Sequence, residues 1–156
     1  MTTEPKIDRI DRKILRQLSK DGRMAWSELA DLVGLSLTPT LRRVRRLEEE
    51  GYIRGYEAKL DEARLAGSIS VLVSVTLTSQ SEENLVRFEE AIVVAPEVMS
   101  CFLMTGDADY SLRVVVPDLE TYQQFMTKTL TRIPGVAHIK SSFALRTVLN
   151  RVSPLP

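Results

Sequence analysis

The sequence predicts an α+β fold in which an N-terminal winged helix-turn-helix unit precedes a ferredoxin-like βαββαβ unit. Helical periodicity interrupted by glycines occupies the first part of the chain, and two strand–helix–strand patterns occupy the rest. Basic residues concentrate in the first part. The predicted boundaries are residues 1–55 for the first domain, 56–67 for a linker and 68–156 for the second domain.

The composition is that of a small globular protein. The chain has 156 residues, of which 44% are hydrophobic and 27% are charged. No apolar run approaches the roughly 18 residues that cross a bilayer, and no signal-peptide pattern opens the sequence, so we expect a cytoplasmic protein with no membrane partner. The single cysteine, Cys101, and the single histidine, His138, argue against disulfides and against a metal site. We expect no catalytic residues, no metal and no cofactor.

Three helices are predicted in the first domain. Asp8 is expected to cap the first helix, which carries apolar residues at helical spacing. The second helix is expected to begin at Ser27 and to stop at Gly34, which suits a left-handed residue. Residues 38–39, Thr-Pro, predict a capping hydroxyl followed by proline at the first helical position, with Gly51 ending this third helix. Helix, short helix, glycine turn and helix is the helix-turn-helix pattern.

The third helix carries four arginines within five residues. With Leu41, Val44 and Leu47 as the buried stripe, Arg42 and Arg46 are expected to point straight out and Thr40 to pack inward, while Arg43 and Arg45 flank the outer face. The alternative is a solvated face with ion pairs Arg45–Glu49 and Arg46–Glu50. The turn and the helix start favour a recognition helix. The residues expected to bind DNA are Ser36, Thr38, Arg42, Arg43, Arg45 and Arg46.

The zero net charge conceals an asymmetry. Residues 1–60 hold 13 Lys+Arg and 10 Asp+Glu, a balance of +3, whereas residues 61–156 hold 8 and 11, a balance of −3. A basic half joined to an acidic half favours a polyanion partner for the first half. Residues 51–58 are predicted to form a short strand or wing in which Arg54 contacts the DNA backbone.

The second domain follows the order β-α-β-β-α-β. Strict alternation predicts the first strand, Ser81 is the expected cap of the first helix, and Pro134 with Gly135 is expected to end the second helix. Both helices should cover one sheet face, leaving Leu72 or Val115 on the other face for a partner subunit to bury. The predicted elements are strands at 69–77, 97–105, 110–116 and 136–149, and helices at 82–95 and from 117 to the 134–135 stop.

The 106–110 segment, Gly-Asp-Ala-Asp-Tyr, separates two predicted strands. The first interpretation is a tight turn in which aspartate bonds its own backbone and glycine supplies a positive φ. The second is a loop whose carboxylates and free amides hold the ammonium and carboxylate of a small zwitterion. The residue types leave both interpretations open.

At this point the sequence resembles the Lrp/AsnC, or feast/famine, family of prokaryotic transcriptional regulators, over about residues 7–150. The resemblance implies a winged helix-turn-helix joined to a ligand-sensing domain that forms homodimers and often octamers, with an amino acid bound between dimers. Many members have cysteine where this chain has Thr40, and an aromatic residue where it has Ala108. The matching segments are 10–15, 21–23, 28–30, 33–36, 38–39, 43–48, 51–53, 106–110, 114–118 and 133–136.

Carried over by position, the resemblance implies a site for an amino-acid effector. Its expected residues are Gly106, Asp107, Asp109, Tyr110, Ser141 and Ser142. The sequence thus predicts a sequence-specific regulator that binds double-stranded DNA and whose assembly or DNA affinity responds to an amino acid or related metabolite. A ligand-binding enzyme and a purely architectural DNA-compacting protein are the alternatives.

Overall fold

The structure, a computed structural model, describes residues 7–151 and Pro154. The chain divides into two compact units. The first extends to Lys59 and takes in the C-terminal residues from Leu149, and the second extends from Leu60 to Val148. Within the described residues, none of the helices has the length and apolarity needed to cross a membrane.

The first unit is built from three helices: α1 (Arg9–Leu18), α2 (Trp26–Val33) and α3 (Leu37–Glu49). Asp8 caps α1 as predicted, because its carboxylate accepts the N–H groups of Ile10 and Asp11, both at 2.8 Å. Asp11 returns the bond by accepting the N–H of Asp8 at 3.0 Å, which completes a capping box.

The turn between α2 and α3 is shorter than the predicted cap at Thr38 implies, because α3 begins earlier in the sequence. Gly34 is left-handed with φ 77°, as predicted, but α3 begins at Leu37 with Ser36 as the N-cap residue. Pro39 therefore occupies the third helical position rather than the first. Proline is tolerated there because the first four N–H groups of a helix have no intrahelical partner.

A common apolar core holds the three helices together. Thr40 is also fully buried, as predicted, and its hydroxyl donates to the Ser36 carbonyl at 3.0 Å. The buried hydrophobic residues are Ile14, Leu18, Leu29, Val33, Val44 and Leu47.

The predicted strand after α3 is absent from the structure, in which residues 52–61 form neither helix nor strand. The segment is held by Tyr56, whose hydroxyl donates to Glu48 at 2.8 Å. A side chain at Gly22 would lie 3.1 Å from the Tyr56 ring, so the turn after α1 is closely covered. Ile53 also holds the segment, because it packs on the helical core and its N–H donates to the Leu47 carbonyl at 3.0 Å. These contacts replace a β-ladder.

The second unit begins with a short helix, α4 (Glu62–Leu65), capped by Asp61. A four-stranded antiparallel sheet follows, with spatial order β2-β3-β1-β4, and the order of elements is the predicted β-α-β-β-α-β. The elements are β1 (Ile69–Leu77), α5 (Glu82–Val93), β2 (Val98–Leu103), β3 (Tyr110–Val116), α6 (Leu119–Lys128), a 3₁₀ turn (Leu130–Arg132) and β4 (Val136–Phe143).

Both long helices cover the same face of the sheet, as predicted. Phe88 and Ile92 of α5 and Tyr122 and Phe125 of α6 share one core with the alternate residues of β1 and β3. β4 ends at Phe143, six residues before the predicted end. Ala144 still donates its N–H to the Ser70 carbonyl at 2.9 Å, but β1 begins at Ile69, which lies opposite Leu145 in this register, so residues beyond Leu145 would have no ladder partner.

The other face of the sheet is open and of mixed polarity. Leu72 is 51% exposed there, as predicted, but Val115 is buried. Phe102 is 59% exposed and pairs with Ser111 on this same face. A register shift between Val98 and Ser100 changes the alternation of β2. Simple period-two counting from Val98 therefore assigns Phe102 to the wrong face.

Candidate functional site

The outer face of α3 carries Thr38, Arg42, Arg45 and Glu49, which are four, three and four residues apart and all exposed. This spacing places the four side chains in one row along the helix. Within the described residues, neither Arg42 nor Arg45 makes an ion pair or a side-chain hydrogen bond. Their guanidinium groups are free to bind an external anion.

The other two arginines of α3 bind α1. Arg43 Nη1 lies 2.8 Å from Asp11 Oδ1 and 2.7 Å from Asp8 Oδ2, and Arg46 Nη2 lies 2.5 Å from Asp11 Oδ2. The expectation that Arg46 points straight out was therefore wrong. Residues 45 and 46 do not pair with the glutamates that follow them, since no such ion pair exists in the described structure.

The direction of Arg46 follows from the burial of Thr40. Leu41 is only partly buried, whereas Thr40, Val44 and Leu47 are buried. At about 100° per residue, this moves the centre of the buried stripe by roughly 30° towards Arg43. The change leaves Arg42 the most outward of the arginines, at about 170° from the stripe, and places Arg45 and Arg46 on opposite flanks at about 130° each. Arg46 lies on the flank that meets α1.

Asp11 is the electrostatic centre of this cluster. Its side chain is 1% exposed, and both its oxygens face arginines. Burial raises the pKa of Asp11, but the N–H of Asp8 and the guanidinium groups of Arg43 and Arg46 outweigh that effect and leave the pKa below its ordinary value. The carboxylate is therefore charged, and with Asp8 it offsets the charge of both arginines.

Ser36 and Thr38 lie at the start of α3 and are exposed. Ser36 is the N-cap residue, yet its hydroxyl makes no capping bond in the described structure. Both hydroxyls therefore lie at the helix start and are accessible from outside. In helix-turn-helix proteins this end of the recognition helix approaches base edges.

The 106–110 segment connects β2 to β3, and its two acidic residues differ in environment. Asp107 is exposed, whereas Asp109 is 5% exposed. The Asp109 carboxylate accepts the Leu77 N–H at 2.6 Å and the Gln80 side-chain amide at 2.5 Å. Asp109 thus fastens the turn to the end of β1. The sequence pattern does not reveal this role, because the two partners lie 29 and 32 positions away along the chain.

Tyr110 is also part of the interior. Its ring centroid lies 4.4 Å from that of Phe88, and its hydroxyl donates to Glu89 at 2.7 Å. Burial and this bond to Glu89 raise the pKa of Tyr110 above its ordinary value, so the phenol is neutral. Gly106 is exposed with φ +136°, a conformation that favours glycine. Gly106 and Asp107 are therefore the accessible members of the segment.

The two serines of β4 lie on opposite faces of the sheet. Ser141 pairs with Val73 and lies 2.5 Å from the Tyr122 hydroxyl, whereas Ser142 pairs with Leu72 on the open face. β1 separates β4 from β3, and the 106–110 turn lies at the far end of β1. One chain alone does not bring these serines together with the turn.

Metal binding has little support in these residues. Within the described part of the chain, no three His, Cys, Asp or Glu side chains are grouped so that they could hold an ion. His138 and Cys101 lie in β4 and β2, respectively, on strands that do not pair with each other.

Comparison with known proteins identifies both units. Residues 7–54 match the model of a winged helix-turn-helix DNA-binding domain, and residues 70–154 match that of the Lrp/AsnC ligand binding domain. The Bkd operon transcriptional regulator of Pseudomonas aeruginosa is 68% identical over 95% of this chain and 97% of its own length. The leucine-responsive regulatory protein of Escherichia coli K12 is 45% identical over 83% of this chain and 79% of its own length.

A solved structure is similar over nearly the whole chain. It is a transcriptional regulator of Neisseria meningitidis in complex with L-Met, with a TM-score of 0.90, 32% identity, and coverage of 96% of each chain. All three proteins are transcriptional regulators, and both halves of this chain match domains of such regulators. These matches speak against the enzyme alternative.

Proposed function

This chain belongs to the Lrp/AsnC family of transcriptional regulators, and we propose that its DNA binding responds to an apolar amino acid such as leucine or methionine. That it is a DNA-binding transcriptional regulator with a ligand-binding domain, and not an enzyme, follows from the family. The effector class is suggested by two relatives, one named as leucine-responsive and one solved with L-Met. We also infer a cytoplasmic location, because a regulator of this family acts on DNA.

The observation that carries the DNA-binding proposal is the unpaired outer face of α3. Arg42 and Arg45 have no internal partner among the described residues, and Thr38 precedes them in the same row. We assign direct DNA contact to these three residues and to Ser36 at the helix start. Arg43 pairs with Asp8 and Asp11, and Arg46 pairs with Asp11, yet each guanidinium has five N–H donors, so donors remain for phosphate.

Replacing Arg42 and Arg45 together by glutamine tests this assignment. Each lost phosphate contact should lower the slope of log affinity against log salt by about 0.9, and the affinity should fall at low salt. Lys128→Gln/Arg132→Gln, in the second unit, removes the same charge and should leave both quantities unchanged. An unaltered slope in the α3 variant would exclude this face from the DNA interface. Equal affinity for operator and scrambled duplexes would favour the architectural alternative.

The effector site is proposed to include Gly106 and Asp107, with Asp109 and Tyr110 shaping the turn from inside. The exposed Asp107 carboxylate suits the ammonium group of an amino acid, and Ala108 leaves room for its side chain. Because Ser141 and Ser142 lie across β1 from this turn, we infer that the complete site is shared between subunits. Ligand binding and subunit assembly are then linked. A ligand bound between subunits shifts the equilibrium between assembly states by its difference in affinity for those states.

A homodimer that associates further, up to an octamer, is the proposed assembly. The open sheet face supports it, because Leu72 and Phe102 lie on that face and each is more than half exposed. Two domains of this size also have small cores, and association buries additional apolar surface.

A thermal-shift panel of the twenty amino acids tests the effector proposal. A ligand that binds only the native state raises the melting temperature by mass action. Leucine or methionine at millimolar concentration should stabilise the wild type, and Asp107→Asn should abolish the shift without changing the melting temperature of the free protein. Asp109→Ala is a poor probe, because it removes the acceptor of the Leu77 N–H. No shift with any amino acid would remove the effector from the proposal and leave the DNA-binding part intact.

A further inference from the structure

A second basic surface lies on α1, outside the proposed α3 interface. Arg9, Arg12, Lys13 and Arg16 are all exposed, and their positions fall within an arc of about 100° around the helix axis. We name this row the basic stripe of α1. The buried residues of the same helix, Asp11, Ile14 and Leu18, lie on the opposite side.

The basic stripe contains no acidic side chain. The only acidic residue within α1 is Asp11, which is buried and binds arginines of α3. Arg9, Arg12 and Lys13 have no ion-pair partner within the described residues. This concentration of positive charge occurs in a chain whose formal net charge is zero, whereas an ordinary solvated face mixes both signs.

The arrangement is unfavourable for the isolated helix. Arg9 and Lys13, and likewise Arg12 and Arg16, are four residues apart, the spacing at which like charges repel on a helix surface. Three of these cations lie in the N-terminal half of α1, where the helix dipole disfavours positive charge. An external polyanion would relieve both effects, because it supplies the negative charge that the helix lacks.

The basic stripe and the outer face of α3 point in different directions. α1 and α3 bury their apolar residues in one core, Ile14 and Leu18 from one helix and Val44 and Leu47 from the other. Each basic surface lies on the side of its helix that faces away from that core. A straight duplex lying on α3 therefore leaves the basic stripe uncovered.

We propose that the basic stripe of α1 binds the phosphate backbone of a second segment of double-stranded DNA, distinct from the segment held by α3. Double-stranded DNA fits because it carries a dense row of charge, about one per 1.7 Å of axis, that Arg9, Arg12 and Lys13 can follow along α1. In a long duplex, both surfaces can be occupied only if the DNA bends around the protein. The inference rests on the proposed DNA-binding function and adds a separate contact to it.

The test compares the full-length wild type with Arg9→Gln/Arg12→Gln/Lys13→Gln on duplexes of about 15 and about 80 base pairs. Arg16 is left in place. On the short duplex the two proteins should bind with the same affinity and salt slope. On the long duplex the variant should bind more weakly, with a slope lower by up to about 2.7 for each protomer engaged, or about 0.9 per contact. The matched control Lys128→Gln/Arg132→Gln/Arg146→Gln should behave as the wild type on both.

A local measurement accompanies the affinities, so that a folding defect does not decide the result. Acetylation of wild-type lysines, read by mass spectrometry, should slow at Lys13 when the long duplex is present but not when the short one is, while Lys128 serves as the reference. Unchanged reactivity of Lys13 with the long duplex would overturn the proposal. So would an equal loss of affinity on both duplexes, because the stripe would then belong to the α3 contact.

Two further outcomes distinguish this proposal from binding to a lipid surface and from failure of the α3 assignment. Protection of Lys13 by phosphatidylglycerol vesicles at the same salt, without protection by the long duplex, would identify a lipid surface and overturn the assignment to DNA. Failure of the α3 assignment has a different signature, which is unchanged short-duplex binding by Arg42→Gln/Arg45→Gln. That result would leave the long-duplex comparison for the basic stripe interpretable.

Discussion

The carboxylate of Asp11, buried in α1, lies 2.5 Å from the guanidinium of Arg46 in α3. Asp11 also completes the capping box of α1 and binds Arg43 at 2.8 Å. One side chain therefore caps the start of α1 and fixes two arginines of α3, 32 and 35 residues further along the chain. Asp11 makes the start of α1 and the orientation of α3 depend on each other.

Asp11→Asn should destabilise the first unit by about 2 kcal/mol, because hydrogen bonds to charged groups contribute about 1.5–3 kcal/mol and a buried acceptor is weakened. The matched comparison is Asp8→Asn. The Asp8 side chain is 48% exposed, so this substitution should lower the free energy of unfolding by less. Urea unfolding followed by fluorescence reports this unit directly, because the single tryptophan, Trp26, lies in α2. Equal losses in the two variants would contradict the special role of Asp11.

Acid should weaken the first unit through the same cluster. The N–H of Asp11 and the guanidinium of Arg43 lower the pKa of Asp8 from 3.8 to about 2 in the folded chain. A carboxylate with a lowered folded pKa stabilises the fold above its unfolded pKa and loses that contribution as the pH falls through the folded value. The free energy of unfolding measured by Trp26 fluorescence should therefore decline between about pH 4 and pH 2. The free energy of the Asp8→Asn variant should decline less steeply over the same range.

The sequence identified the elements whose ends depend on local signals. Asp8 at the start of α1, the left-handed Gly34 and the Ser81 cap of α5 are all where the pattern placed them. The sequence failed to predict the ends of elements that depend on a partner far away along the chain. The alternation of residues 144–149 resembles a strand, but β1 offers no partner beyond Leu145, which lies opposite the first residue of β1.

The same distinction applies to the candidate sites. The sequence pointed to the arginine-rich helix and the 106–110 turn as candidate sites, and both remain predictions. The sequence did not show which residues of each site are exposed and which are held by internal contacts. The contacts of Arg46 with Asp11 and of Asp109 with Leu77 join residues about 30 positions apart. Helical angles predict which side a residue faces, and they do not predict which side chain it meets.

Gly67→Ala should severely destabilise the second unit. Gly67 has φ +113°, and a Cβ there would overlap the backbone of Val116 and Pro117 at the end of β3. The loss should exceed the roughly 1 kcal/mol expected for conformational strain alone. Gly34→Ala provides the comparison, because Gly34 has φ +77° with open space around it. Urea unfolding followed by circular dichroism should rank the two; a milder effect at Gly67 than at Gly34 would contradict the close packing.

Leu72→Lys should dissociate the proposed dimer and leave the chain folded. Leu72 is 51% exposed on the open sheet face, so a lysine there has access to water in the single chain, whereas it would be buried unpaired if two open faces packed together. Sedimentation velocity should show a smaller species than the wild type at the same concentration, with an unchanged circular dichroism spectrum. Leu65→Lys, at a 70% exposed position on α4, is the control and should keep the wild-type mass. An unchanged mass for Leu72→Lys would exclude this face as the dimer interface and would place the subunit contact at the exposed edges of β2 or β4.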